Sequence, residues 1–324
     1  MNYLKRLIRL IKKSRRTVIA THFNPDCDGI AAALCCGHLV RYYSGREPTL
    51  FCYSPIPTKY RFLFGKWKFT RKQPSFDLLI TVDAARISRI FAHMGHIKAA
   101  RLDSKTVVNI DHHISNDAFG ELRIIKEKAS STCEIIYDIF KKLKIEISKP
   151  IAEIFYCGIY SDTGGFIYPN TTKHSLRIAS ELINLGVKPG PLVRKLNART
   201  LDATRLLSRV LNTIDVKNGV GVMCLTQSML ADNHATMADS ENFVSFLQAI
   251  DGVKVALFFR EERRGTRISL RSNGIIDVDE LAHGFGGGGH RLAAGIKTRN
   301  DINRAKREIV GAVFKKLREK KEGS

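Results

Sequence analysis

Apolar positions along the chain change period several times, and each change marks an element. Leu4, Leu7, Ile8 and Ile11 recur at i, i+3, i+4 and i+7 with Lys and Arg between them, so Tyr3–Arg16 predicts an amphipathic helix. A helix lying on a membrane surface has the same pattern, but one packed on its own domain with its basic face outward suits so short a segment better. Thr17–Ala20 (TVIA) reads as a short buried strand and Asp28–Val40 as an Ala- and Leu-rich helix. Leu78–Val82 (LLITV) and Val107–Ile110 (VVNI) are two more buried strands. Thr132–Leu143 carries Ile135, Ile136, Ile139 and Leu143 on one helical face, and the apolar segment Ile151–Tyr160 runs up to Asp162. Strands alternating with helices predict an α/β fold with a mostly parallel sheet and helices on both faces.

Beyond a helix at Lys173–Leu185 and its terminator Gly186, the run Pro189-Gly190-Pro191 punctuates the chain. Leu192–Ile214 reads as a helical connector. From Gly219 the pattern changes to strand-like runs (VGVMCL, VKVALFF, TRISLRS) separated by turn signals, and Asp301–Lys321 is spaced as a helix. The 324 residues allow two domains of about 100–200 residues each. The expected division is a first domain at 1–186, a helical linker at 187–214 and a smaller α+β domain at 215–324, with a cleft between the domains.

Composition removes several classes. The longest apolar stretch near the N-terminus, Gly29–Leu39, is broken by His38 and falls far short of the roughly 20 residues of a membrane span. Seven Lys and Arg in the first sixteen residues leave no signal-peptide core. Seven cysteines with no C-x-x-C pair argue against a disulfide framework or a zinc knuckle and for a reducing cytoplasm. The formal charge is +22, and residues 1–100 alone hold 18 basic and five acidic side chains. Such a field attracts polyanions such as nucleic acid or nucleotides, although a solvated basic surface carries the same sum.

The acids that remain are placed for chemistry. In a parallel sheet the site lies beyond the carboxyl ends of the strands. Here the strands release His22-Phe-Asn-Pro-Asp26-Cys-Asp28-Gly29, then Asp83, then Asp111-His112-His113, and the apolar segment releases Asp162. Each signal alone is commonplace in loops; their convergence in one domain is not. Several carboxylates with a few imidazoles suit Mn or Mg better than a thiolate-seeking metal. Cys27 lies between two carboxylates, but alternating side-chain direction in an extended loop favours small filler over ligand.

Two further segments have double readings. Gly286-Gly287-Gly288-Gly289-His290 is either a flexible hinge or a backbone surface open to an anion, with His290 and Arg271 as added donors. Lys59–Lys72 interleaves Tyr60, Phe62, Phe64, Trp67 and Phe69 with six basic residues. Those aromatics are either platforms for single-stranded nucleic acid or the packed half of an amphipathic segment.

These motifs, in order and spacing, resemble the DHH family of phosphoesterases, and more narrowly its nanoRNase/pAp-phosphatase (NrnA-like) branch. The matching blocks are THFNPDCDGIAAAL, ITVDAA, NIDHHISNDAFG, ASSTCEIIYDIF, YSDTGGFIYPNTT and RSNGIIDVDELAHGFGGGGHRLAAG, which span nearly the whole chain. The resemblance implies that His22 and Asp26 hold one Mn(II), that Asp28, His112 and Asp162 hold a second, and that Asp83 bridges both, with Mg(II) as an alternative. It implies that Asp111 orients its neighbours, that His113 faces the phosphate, and that Gly287, Gly288, Gly289, His290 and Arg271 bind substrate in a DHH-associated domain. Gly29 departs from the pattern, since many relatives carry Ala there.

The implied reaction is hydrolysis of short oligonucleotides to mononucleotides, of pAp to AMP, or of both, by a hydroxide held between two ions about 3.5–4 Å apart. A phosphodiesterase acting on a signalling dinucleotide such as pApA is the alternative, and a non-catalytic RNA-binding module is a third. Every expected ligand is present, which argues against the third. Expected partners are short single-stranded RNA or DNA oligonucleotides and pAp, with a homodimer allowed and no membrane.

Overall fold

The computed structural model describes residues 2–91 and 106–322, in two compact units, Met1–Ala198 and Arg199–Ser324. Among the described residues of the first unit lies a sheet of β1 (Thr17–Ala20), β2 (Thr49–Phe51), β3 (Phe69–Thr70), β4 (Leu78–Val82), β5 (Thr106–Asp111) and β6 (Leu122–Ile125). The spatial order is β3-β2-β1-β4-β5-β6, and every pairing is parallel. Alternate strand residues serve two cores. Ile19, Ile80, Val108 and Ile110 face the larger one, while Val18, Leu79 and Val107 face the smaller.

Helices α1 (Asn2–Lys13), α2 (Cys27–Ser44), α4 (Thr132–Lys142) and α5 (Lys149–Asp162) pack into the larger core, and α3 (Ile87–Phe91) into the smaller. Two more helices, α6 (Lys173–Asn184) and α7 (Pro189–Leu196), complete the first unit. The apolar segment before Asp162 is thus a helix, buried on several sides because it packs against α2, α4 and α6. β2, β3 and β6 carry no legible alternation, since each has at most four residues.

Two open readings close here. Leu4, Leu7 and Ile11 of α1 are buried in the core, so its basic face is simply the outer one. The stacking-platform reading of Lys59–Lys72 is corrected as well. Tyr60, Leu63 and Trp67 are buried, and Phe62, Phe64 and Phe69 pack against the same core. The Trp67 indole donates to His38 Nε2 at 3.2 Å and lies against Gly37 of α2. No helix among the described residues is long and apolar enough to cross a membrane.

The expected helical linker divides between the units. Leu192 and Leu196 of α7 join the first core, whereas Leu206 and Val210 of α8 (Leu201–Leu211) join the second unit. The break is local chemistry: the Thr200 hydroxyl accepts from the Ala203 amide and starts a new helix.

The second unit has a mixed sheet of β7 (Asp215–Lys217), β8 (Val220–Leu225), β9 (Val255–Glu262), β10 (Gly265–Ser272), β11 (Gly288–His290) and β12 (Ala293–Thr298). Its order is β11-β12-β10-β9-β8-β7, with only β8–β9 parallel. Helices α9 (Gln227–Asp232), α10 (Val244–Gln248), α11 (Val278–His283) and α12 (Ile302–Glu322) surround it. On one face Ala305, Ile309 and Val313 of α12 meet Leu257, Phe259 and Ile268. On the other, α8 and α10 cover Met223 and Phe258 near β8.

Because Leu7 is fully buried, Leu7→Ala should lower unfolding free energy by about 2–5 kcal/mol. Urea titration followed by circular dichroism measures it; a loss of a few tenths would return α1 to the surface-helix reading.

Candidate metal centre

Strand β1 has β2 on one side and β4 on the other, so the connections leaving β1 and β4 diverge and open a crevice at the carboxyl ends. The predicted residues gather there. The turn after β1 brings His22, and α2 begins on Asp26, whose carboxylate accepts from the Gly29 amide at 3.0 Å. Asp83 follows β4 directly in the left-handed region at φ 56, a conformation that Asp tolerates better than most side chains. Asp111 ends β5, His112 and His113 follow it, and Asp162 is the last residue of α5.

Asp83 sits at the middle. Its Oδ2 lies 3.5 Å from His22 Nε2, and its Oδ1 lies 3.7 Å from both His112 Nε2 and His113 Nδ1. His112 Nε2 is also 3.4 Å from Asp162 Oδ2. Three sets of ligand atoms lie close enough to hold an ion: His22, Asp26 and Asp83; Asp28, His112 and Asp162; and Asp83, His112 and His113. Cys27 is in none of them, and its thiol is directed to the Cys157 carbonyl instead.

The imidazoles are preset for this. His22 Nδ1 lies 3.0 Å from the Phe23 carbonyl and His112 Nδ1 3.2 Å from the Ala129 carbonyl. A carbonyl only accepts, so in both rings Nδ1 carries a proton, and Nε2 is the atom turned toward the carboxylates. His113 differs. Its Nδ1 pairs with Asp111 at 2.7 Å, and Asp111 in turn accepts from the Asn116 amide at 2.5 Å.

The charge balance calls for cations. Burial pushes the Asp28 and Asp162 carboxyls well above the usual range, and neighbouring carboxylates, Asp83 foremost for Asp28 and Asp26 for Asp162, push them further. Burial also opposes ionisation of Asp83, but His22 and the other two imidazoles hold it below its ordinary value. Against burial, Asp26 and Asp83 raise the His22 imidazole to about 10, so an entering cation displaces a proton. Asp162 Oδ2 is buried and accepts no hydrogen bond from any described residue. An orphaned buried oxygen among crowded carboxylates, facing an imidazole Nε2, fits divalent metal.

Several supporting residues were not singled out from sequence. Thr132 donates its amide to Asp28 Oδ2 at 2.7 Å and its hydroxyl to Asp83 Oδ1 at 3.1 Å, and the Cys133 amide reaches Asp28 Oδ1 at 3.0 Å. Asn170 donates to the Asp162 and Ser130 carbonyls. The signal for the first was legible: Ser131-Thr-Cys-Glu134 is a helix-start pattern, and a helix start offers unpaired N–H groups to an anion. The departure at Gly29 is steric. A Cβ there would stand 2.4 Å from Thr21 Oγ1 and 3.1 Å from Asp83 Oδ2.

In the second unit Arg271 and His290 are brought together by register. Both pair across Ala293, Arg271 from β10 and His290 from β11, so the two side chains stand on the same face. The glycine run is neither hinge nor open anion loop. The amides of Gly286, Gly287 and Gly289 donate to His283 O, Ala282 O and Asp279 Oδ1. A Cβ at Gly287 or Gly289 would strike the Gly295 or Ala293 carbonyl at 2.3 or 2.4 Å.

A model of the DHH family, N-terminal domain, matches residues 16–159, and a model of the DHHA1 domain matches residues 205–319. The chain is 31% identical over 303 residues to the bifunctional oligoribonuclease and PAP phosphatase NrnA of Thermus thermophilus, covering 92% of this chain and 89% of that protein. The chain belongs to the DHH family of phosphoesterases. A like-named DHH protein of Bacillus subtilis is 28% identical over 293 residues, covering 89% of this chain and 91% of that one. The DHH fold is shared with an exopolyphosphatase-related protein from Bacteroides fragilis at a TM-score of 0.85, with 25% identity over 98% of this chain and 96% of that one. RecJ from Thermus thermophilus, solved in complex with Mn2+, shares the fold alone, at a TM-score of 0.52 and 13% identity over 97% of this chain and 54% of that one. DHH phosphoesterases depend on metal, and the groups around Asp83 can hold it here.

Asp83→Asn keeps the shape and removes the charge common to two of the sets. Calorimetric titration with Mn(II) should show both binding steps weakened by at least roughly tenfold, the scale of losing a charged partner. Loss confined to one step would mean that Asp83 serves a single ion.

Proposed function

We propose that this DHH phosphoesterase is an oligoribonuclease of the nanoRNase type, which releases mononucleotides from short single-stranded RNA and converts pAp to AMP in the cytoplasm. One observation carries the reading. Three His/Asp sets gather at the switch point of the sheet, two of them with Asp83 and the third sharing His112, in a chain similar over 92% of its length to a protein named for both activities. The +22 charge favours oligonucleotides, RNA or DNA, over pAp alone.

In this reading His22 and Asp26 hold one ion, Asp28, His112 and Asp162 hold the other, and Asp83 serves both. Two divalent cations, Mn(II) by preference and Mg(II) as an alternative, would supply Lewis-acid charge at the phosphoryl group and lower the pKa of water. The remaining chemistry falls to side chains. Asp111, fixed by Asn116, holds His113 through Nδ1, so that the imidazole meets the phosphoryl oxygen with its other nitrogen. Thr132 keeps Asp83 and Asp28 in place through its hydroxyl and amide. Arg271 and His290 bind a substrate phosphate, and the unsubstituted glycines at Gly287–Gly289 keep the β11 edge thin enough for that approach.

Incubating the Mn(II)-loaded protein with labelled oligoribonucleotides of graded length, and separately with pAp, should yield mononucleotides and AMP. Failure on both substrates overturns the reading. Arg271→Ala and His290→Ala should keep full metal content yet lose roughly 1–3 kcal/mol in kcat/KM, the worth of a charged hydrogen bond. Metal loss in either variant would place that residue among the ion ligands instead.

A further inference from the structure

Register places three more residues beside Arg271 and His290 on the same face of the second sheet. Two residues back along β10 from Arg271 stands Ser269, whose cross-strand neighbours are Phe258 on β9 and Gly295 on β12, and Gly295 in turn faces Gly288 on β11. The row Ser269, Gly295, Gly288 therefore forms a floor almost without side chains, about 7 Å along the strands from the row that carries Arg271 and His290. Crowding does not demand glycine at either position. A Cβ on Gly295 would meet nothing nearer than 3.8 Å, and one on Gly288 nothing nearer than 3.5 Å. Gly288 has His283 and the Asp279 carboxylate at ordinary contact distance, and a strand glycine that packing does not require marks a place where a ligand comes close to backbone.

Arg260 is laid onto that floor. It pairs in register with Arg267, a like charge directly opposite, yet its guanidinium leaves that row and reaches diagonally to Ser269 Oγ at 2.5 Å. The cation lies 5.1 Å from the centre of the Phe258 ring. The residue is 9% exposed, and its Nε has no hydrogen-bond partner among the described residues. Burial, reinforced by the charges of Arg267 and Arg271 and opposed by Glu262 and Glu241, lowers the guanidinium to about 9. A buried guanidinium beside Arg267 and Arg271, with an Nε that no described residue accepts from, is a costly arrangement that a further anion relieves.

We propose that Arg260, with Ser269 over the Gly288–Gly295 floor, forms a second phosphate site, which receives the phosphate next along an oligonucleotide whose first is held by Arg271 and His290. The inference rests on the reading of Arg271 and His290 as a phosphate site. It assigns Arg260 a choice between ligands: a strand with successive phosphates engages it, and a nucleotide with a single phosphate, AMP, does not.

The test measures binding by the full-length protein in EDTA, with a fluorescein-labelled oligoribonucleotide followed by anisotropy and with AMP, which has one phosphate, as competitor. Arg260→Gln should weaken the oligonucleotide by at least roughly tenfold, the scale of a charged hydrogen bond, and reduce its salt slope by about 0.7, one phosphate on a single strand. Affinity for AMP should stay within about twofold. Should the Gln variant fail to fold, Arg260→Lys makes the same comparison, keeping the charge and losing the planar fork. No loss, or equal loss for both ligands, overturns the proposal. Arg271→Ala measured alongside separates the failures. If it weakens both ligands while Arg260→Gln weakens neither, only the second site falls; if Arg271→Ala has no effect either, the phosphate reading beneath it falls too.

Discussion

Everything in the first unit accommodates one electrostatic problem: several carboxylates buried around Asp83 in the middle of a basic chain. Ionised carboxylates cannot be crowded out of water without positive partners, because the desolvation cost of each amounts to several kcal/mol even after relaxation. The fold supplies those partners from three directions. Imidazoles come from the turns after β1 and β5, backbone N–H groups come from the start of α4, and the third is a set of ligand atoms able to hold divalent cations. Asp28 shows the division of labour. Both its oxygens accept from the amides that open α4, at the helix end where an anion is favoured.

Bringing these groups together requires backbone to approach backbone. Gly158 lets α5 close on α2 and α4, for a Cβ there would stand 2.3 Å from Cys133 Sγ and 3.0 Å from Asp28 Oδ1. Gly29 plays the same part between α2 and the end of β1. The buried cysteines around them are compact fillers of the same junction, and burial raises the Cys27 and Cys133 thiols well above their ordinary values, which keeps them protonated and chemically quiet.

The second unit solves the complementary problem. Its sheet carries an apolar half toward β8, covered by α8 and α10, and a basic half toward β11. The glycine run at the edge is consumed by close packing against β12 and α11, which leaves guanidinium and imidazole groups on the sheet as the proposed anion binders. A unit able to hold metal and a second unit proposed to capture phosphate match what hydrolysis of a polyanion needs.

Local sequence determined a good deal of this protein. The buried strands β1, β4 and β5, the helices α1, α2, α4, α6 and α12, and the residues His22, Asp26, Asp28, Asp83, His112 and Asp162 were all legible, because period and strand-end position are properties of neighbouring residues. What needed the tertiary structure was every question of register and of who packs on whom. Whether Trp67 stacks on a base or fills a core depended on His38 and Gly37, some thirty residues away. That Thr132 clasps Asp28 and Asp83, from segments 104 and 49 residues distant, follows only once α4 is docked on the sheet. Arg260 is the sharpest case. In sequence it is one cation among many, and its meaning comes from a strand pairing that turns it toward Ser269 and leaves its Nε buried without an acceptor. Periodicity reports which face of an element is buried; it holds no record of which distant side chain is waiting there.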